Sequence, residues 1–252
     1  MAFEWRTKRK ATFLSLFLLI VLIPVVFVFY SFLPVPSCTD GKLNQQEEQI
    51  DCGGPNCASC LSEQPDDLVI LWSRYFEVRP GVYDVAALVE NVNLTLGSLS
   101  LPFVFELYDD HDSRIVAHRG STYALPNKQF LIFSANVGTG IRKPVRMNFR
   151  LDSFTWERLE EQTLPLIVSR TERLFDIDRP RLIATLTNSA LHDITQVDVA
   201  VVVSDSSNNA IAVGEVRLDE VRDSSTADAA FTWPHPFSGT PDHVQFFVRQ
   251  KP

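Results

Sequence analysis

The sequence predicts an all-β protein: two tandem β-sandwiches behind a single N-terminal transmembrane helix and a small disulfide-rich module. Three observations carry that reading. Ala11 to Leu33 run for 23 positions without a charge. From residue 68 onward, apolar and polar residues alternate in short runs separated by turn-forming clusters. One of these runs returns 97 residues later with its turn signals in the same order.

The apolar run comes first. A helix rising about 1.5 Å per residue reaches about 34 Å over that length, enough for a hydrocarbon core of about 30 Å. Arg6, Lys8, Arg9 and Lys10 precede the run, and the first charges after it are Asp40 and Lys42. The positive-inside rule then puts residues 1–10 in the cytoplasm and everything after Pro34 outside, in a single-pass protein of the cytoplasmic membrane. A cleaved signal peptide has an apolar region of about 7–15 residues and a small-residue cleavage site; this run is longer and ends in Tyr30-Ser31-Phe32-Leu33-Pro34. A lipoprotein-like reading of Val35-Pro36-Ser37-Cys38 puts proline where a small flexible residue is usual. Pro24 is tolerated within a membrane helix, and the span holds no ionisable group to carry protons or ions.

Beyond the span stand 19 basic and 30 acidic residues, a net charge near −11. Such a surface argues against nucleic acid and against a broad basic face on lipid, and it favours solubility and a protein partner at the cell envelope. His111, His118, His192, His235 and His243 are scattered with no ligand spacing, so no cofactor is expected.

All four cysteines, Cys38, Cys52, Cys57 and Cys60, fall within residues 38–60. A segment this short cannot bury a core, and outside the membrane two disulfides are expected, in any of three connectivities. A four-thiolate zinc site is disfavoured by an oxidising exterior. Redox work by Cys57-x-x-Cys60 lacks a surrounding βαβ pattern. Asp40, Asn44, Glu48 and Asp51 take positions 1, 5, 9 and 12 of a calcium-like window, but Lys42 and Gln45 stand where such a loop needs an oxygen ligand and a glycine. The order C-x-D-G-x-x-N-x-x-E-x-x-x-D-C-G-G-x-x-C-x-x-C resembles a cysteine motif of many prokaryotic surface proteins.

Residues 68–157 and 164–252 read as strand after strand. Val145-Arg-Met147-Asn-Phe149-Arg-Leu151 alternates without a fault, as do Val197, Val199, Val201 and Val203, and then Val244, Phe246 and Val248. Asp109–Ser113 and Ser204–Asn209 are turn signals. Only the charged stretch from Glu157 to Gln162 suggests a short helix. Val85-Ala-Ala-Leu-Val-Glu-Asn91 matches Leu182-Ile-Ala-Thr-Leu-Thr-Asn188, and Phe105-Glu-Leu-Tyr-Asp109 matches Val201-Val-Val-Ser-Asp205 one deletion later. Units near 90 residues with this strand order have the size of immunoglobulin-like sandwiches. A polar run ending at Pro165 divides them, and a linker poor in apolar residues predicts two independent cores.

Phe105-Glu-Leu-Tyr-Asp109 resembles the F-x-L-Y-D signature of a small immunoglobulin-like domain family of prokaryotic surfaces, over about residues 80–135. The resemblance implies an extracytoplasmic β-sandwich and transfers no catalytic residues; in the second copy only Asp205 of the signature remains. From spacing alone, Phe105 and Leu107 enter the core, Tyr108 points away, and Asp109 caps a turn through an Asx hydrogen bond.

The function these features favour is non-enzymatic: tandem sandwiches presented as a spacer, adhesive or protein-binding module. A carbohydrate-binding alternative would use Trp72, Trp156 and Trp233, two of them coplanar and exposed. An envelope hydrolase has no G-x-S-x-G or H-E-x-x-H to support it. Asn93-Leu-Thr95 is a formal glycosylation sequon.

Overall fold

The computed structural model describes residues 65–159 and 163–251, positions 37, 38, 40–44, 46–48 and 50–57, and, before these, 10, 19 and 21–23. The chain divides into two compact units, Met1–Ser62 and Glu63–Pro252. In the first, residues 10, 19 and 21–23 are helical, and the rest of the predicted span Ala11–Leu33 lies outside the described residues. Among the described residues, no helix is long and apolar enough to cross a membrane.

The second unit is all-β. Strands β1 (Val69–Arg79), β2 (Val82–Asn91) and β5 (Lys128–Gly138) form one antiparallel sheet in the order β1-β2-β5. The facing sheet runs β4-β3-β6, from β3 (Leu96–Tyr108), β4 (Arg114–Ala124) and β6 (Arg146–Leu151). Strand β7 (Glu157–Arg158) pairs with the start of β3. The charged stretch at 157–162 therefore begins as a sheet edge, where the sequence suggests a short helix.

The second sandwich repeats this plan. Its sheets are β12-β9-β8 and β11-β10-β13, from β8 (Leu166–Leu174), β9 (Arg181–Asn188), β10 (Ile194–Ser204), β11 (Ala210–Val221), β12 (Thr226–Thr232) and β13 (His243–Gln250). Phe105 of β3 pairs with His118 and Phe149. Val201 of β10 pairs with Gly214 and Phe246, the counterparts at offsets of 96 and 97. The copies correspond strand for strand.

Period-2 alternation fills each core from the predicted side. Val85, Ala87 and Val89 meet Leu101, Phe103, Phe105, Leu107, Phe130, Ile132 and Phe149 in the first core. Val197, Val199 and Val201 meet Leu182, Leu186 and Phe231 in the second.

A third core joins the two sandwiches. Ala86 and Leu88 of β2 and Leu131 of β5 pack against Ala200, Val202, Ala210, Val213 and Phe247, with Trp72, Phe76 and Phe133 at the margin. Each sandwich has a core of its own, and this junction is added to them for a reason that lies in the side chains. Val85–Val89 and Val199–Val203 are unbroken apolar runs, the pattern of a strand buried on both faces.

Reciprocal arginines close the junction. Arg74 of β1 donates to Ala210 O (3.1 Å) and Asn209 Oδ1 (2.9 Å). Arg249 of β13 donates to Tyr123 O (3.2 Å) and Thr122 Oγ1 (3.1 Å), with its guanidinium 4.6 Å from the Tyr123 ring centroid. Each sandwich thus satisfies backbone carbonyls of the other.

Corner asparagines fix the β2–β3 and β9–β10 connections. Asn91 is buried and donates through Nδ2 to Leu96 O (2.7 Å) and Leu125 O (2.9 Å), while its Oδ1 accepts from Asn93 N–H (3.1 Å). Asn188 donates to His192 O, Val221 O and Arg222 O, each at 3.0 Å, and accepts from Ala190 N–H (2.8 Å). A buried carbonyl without a donor is costly, which accounts for the same residue in both copies.

Candidate functional site

The signature residues divide by face. Phe105 and Leu107 are fully buried, with the Phe105 ring 4.7 Å from Phe149 and 5.5 Å from Phe103. On the opposite face Glu106 accepts from Arg114 Nη1 (2.8 Å), Tyr108 Oη (3.1 Å) and Asn148 Nδ2 (3.4 Å). Burial alone would raise this carboxyl, but those hydrogen bonds outweigh it and hold it below the usual range. Arg146 stacks over the Tyr108 ring at 4.1 Å. Tyr108 therefore works within a polar network on the sheet.

Asp109 makes the predicted Asx turn. Its Oδ1 accepts from His111 N–H (3.1 Å) and Ser113 N–H (2.9 Å), and Asp112 takes a left-handed φ of 58°. Asp205 repeats the arrangement with Ser207 N–H (2.9 Å), Asn209 N–H (2.8 Å) and Asn208 at φ 60°. Hydrogen bonds hold both carboxyls below the usual range, led by Arg142 at Asp109 and by the Asn209 N–H at Asp205. Asp109, Asp110 and His111 cluster, but with Asp109 in a hydrogen-bonded ion pair with Arg142 they are occupied as a turn.

In the first unit Cys38 and Cys57 form a disulfide, Cys52 is also disulfide-bonded, and Cys60 lies outside the described residues. Bonded in this way, Cys38 and Cys57 offer no thiolate to zinc. Three of the four calcium candidates come together, as hydrogen-bond acceptors and donors to one another's loop. Asp40 accepts from Lys42 N–H (2.9 Å) and Asn44 Nδ2 (2.8 Å), and the Asp51 carboxylate accepts from Gly41 N–H (2.9 and 3.1 Å). Glu48 is exposed. The neighbouring Glu47, which spacing did not single out, is buried and accepts from Asn44 N–H (3.1 Å) and Asp51 N–H (3.3 Å). Gly54, at φ 73°, lies so close to Gln46 that a Cβ would stand 2.3 Å from its carbonyl oxygen; the second glycine of the motif answers to that contact.

The three tryptophans are half-buried. Trp72 borders the third core, Trp156 packs edge-on against Phe154 at 5.0 Å, and Trp233 donates through Nε1 to Val213 O (2.8 Å). Asn93 of the sequon is buried, with Nδ2 donating to Asp66 O (2.8 Å) and Asn91 Oδ1 (2.9 Å).

Clefts flank the junction of the sandwiches. One of about 540 Å³ is walled by aromatic rings including Tyr75, Phe133, Trp233 and Phe237, with Glu77, Asp84 and Glu215 among them. Burial raises the carboxyls of Asp84 and Glu215 above the ordinary range. A second, of about 460 Å³, holds Asp198 bonded to Arg217 (2.6 and 3.1 Å) beside Arg249. No motif marks these residues; the signal available for them was the two-sided apolar runs that imply a junction.

No family model matches the chain, and no curated protein matches it. Among solved structures it is similar to a transglutaminase of red sea bream, at a TM-score of 0.25 and 11% identity, over 71% of this chain and 29% of that one. The chain thus spans less than a third of that protein, and a likeness this slight bears on neither fold nor activity.

Proposed function

We propose that this is a membrane-anchored, extracytoplasmic, non-enzymatic protein whose tandem immunoglobulin-like sandwiches serve as a stiff spacer and protein-binding module. The observation that carries the reading is the third core with its reciprocal arginines. Two domains joined by a bare linker would swing independently, whereas a shared apolar core fixes the angle between the two sandwiches and holds their surfaces in one arrangement. The uncharged run Ala11–Leu33 behind a one-sided basic cluster supports the anchor. The disulfide of Cys38 and Cys57 supports an oxidising exterior. Kinship with the F-x-L-Y-D domains of prokaryotic surfaces belongs to the same proposal.

Protease added to spheroplasts tests it. Residues 63–252 should be degraded while a membrane-bound stub remains, and in-cell crosslinking should join the sandwiches to an envelope protein. Full protection of the C-terminal sandwich would refute the orientation.

A further inference from the structure

We infer that the aromatic cleft between the sandwiches docks a segment of a partner protein that carries lysine or arginine beside apolar residues. The inference deepens the protein-binding reading and rests on it. The cleft, of about 540 Å³, falls within the usual range for ligand sites of about 300–1,000 Å³. One wall comes from β1, β2 and β5, the other from β11, β12 and the segment 233–238.

Apart from His235, the charged side chains that line the cleft are all acidic. Glu77, Asp84 and Glu215 line it, and no lysine or arginine does. Glu215 also lines the second cleft, where the cations that act on it are bonded to other groups: Arg217 to Asp198, and Arg249 to Thr122 and Tyr123. Their fields lower the Glu215 carboxyl, yet burial outweighs them and leaves it raised. Asp84 is raised by burial too, although its Oδ1 accepts from Asn136 N–H (2.8 Å). A cation entering the cleft would offset both penalties. The rings of Tyr75, Phe76, Phe133, Trp233 and Phe237 add faces that attract a cation and bury its apolar stem.

The three acids sit on three different strands, β1, β2 and β11, which suits an extended segment with several side chains better than one compact cation. On β11 the Val213 carbonyl already accepts from Trp233 Nε1, and the aromatic rings and acids that line the cleft favour recognition through side chains.

The probes are a fluorescein-labelled nonapeptide alternating Arg and Leu, its Gln-for-Arg counterpart and arginine methyl ester, titrated against the full chain in detergent micelles. The Arg peptide should bind, and both the Gln peptide and the variant Glu77→Gln/Asp84→Asn/Glu215→Gln should weaken binding by about tenfold or more. Asp219→Asn/Glu220→Gln/Asp223→Asn removes the same charge from exposed positions away from the cleft and should change affinity less than about twofold. If the triple cleft variant does not fold, Glu77→Gln alone, at an exposed acid, should still weaken the Arg peptide. Equal losses in the two triple variants would mean general attraction to an acidic surface and overturn the inference. So would methyl ester binding as tightly as the peptide, or no peptide binding at millimolar concentration. In cells, a photo-reactive residue at position 77 should capture the partner found by crosslinking. Capture from other positions but not from 77 would sink the docking site and leave the protein-binding reading standing.

Discussion

Strand β3 and strand β10 occupy the same place in the two sandwiches, yet their outward faces have opposite chemistry. In β3 the face away from the core carries Glu106 and Tyr108, tied to Arg114, Asn148 and Arg146. In β10 the equivalent positions are Val202 and Ser204, and Val202 with Ala200 is buried against the first sandwich. The reverse holds for β2 and β9. Leu88 enters the third core, while its counterpart Thr185 is a surface residue donating to Asp228 Oδ1 (2.7 Å). One scaffold was thus given two different sticky faces, and the apolar part of the junction comes from one sheet of each copy, β1-β2-β5 and β11-β10-β13. The surfaces that meet are different ones, a head-to-tail arrangement, and the corresponding faces of β3 and β9 are polar instead.

Exchanging residues between the copies tests that comparison most severely at β10. Val202→Glu, which imports the residue of β3, places a carboxylate in an apolar junction without the arginine that serves Glu106. The expected loss is about 3–5 kcal/mol, read from urea denaturation at neutral pH. A loss below about 0.5 kcal/mol would mean that the junction opens freely in solution. Phe105→Ala should cost a similar amount through burial and cavity. Because the sandwiches share a core, calorimetry should show one transition moving as a whole. Two transitions, with only one displaced, would restore independent domains.

A smaller effect is expected at β2. Leu88→Thr should lose about 2–4 kcal/mol, whereas Thr185→Leu at the surface should change stability by about 0.5–1 kcal/mol at most. Equal effects would make the junction energetically unimportant.

Much of this was legible from side-chain order, and the illegible part has a physical cause. Phe105, Leu107 and Asp109 lie where alternation and Asx geometry place them, and the repeat extends to the hydrogen bonds of Asn91 with Asn188 and of Asp109 with Asp205. The junction escaped because reading every second valine of β10 as buried says nothing about the residues between. Ala200 and Val202 supply that information only when the run is read whole. In the cysteine module Glu48 looked like a ligand by spacing, but the buried acceptor is Glu47, since tight turns at Gly53 and Gly54 override any period. The aromatic cleft was invisible for another reason. Its walls come from residues more than 130 positions apart, such as Tyr75 and Trp233, brought together only by the third core.

The two corner asparagines should respond alike. Each satisfies two or three carbonyls that Ala cannot reach, so Asn91→Ala and Asn188→Ala should each lose about 2–3 kcal/mol. Denaturation of both variants checks the equivalence. A loss confined to one copy would show that the shared sequence pattern does not carry the same load in both sandwiches.

The gentlest comparison is between turn acids and junction acids as pH changes. Asp109 and Asp205 are held below the ordinary carboxylate value of 3.8 by their hydrogen bonds, with Arg142 as the leading partner at Asp109. Their stabilisation is present above the unfolded value and is lost as pH falls through the folded one, so the loss begins near about pH 4 and proceeds below it. Glu215, raised above 4.5 by burial, has the opposite sign. Its contribution is complete below the unfolded value and is lost as pH rises through the folded one. Acidifying from pH 7 toward 5 should therefore raise the urea midpoint slightly before the turn acids bring it down. Glu215→Gln should diminish the rise and leave the fall, the remaining rise coming from Asp84, whereas Asp109→Asn should reduce the fall and leave the rise. A midpoint for Glu215→Gln that climbs as steeply as that of the unsubstituted protein between pH 7 and 5 would remove Glu215 from the junction's proton balance and leave the rise to Asp84, whose burial gives it the same sign.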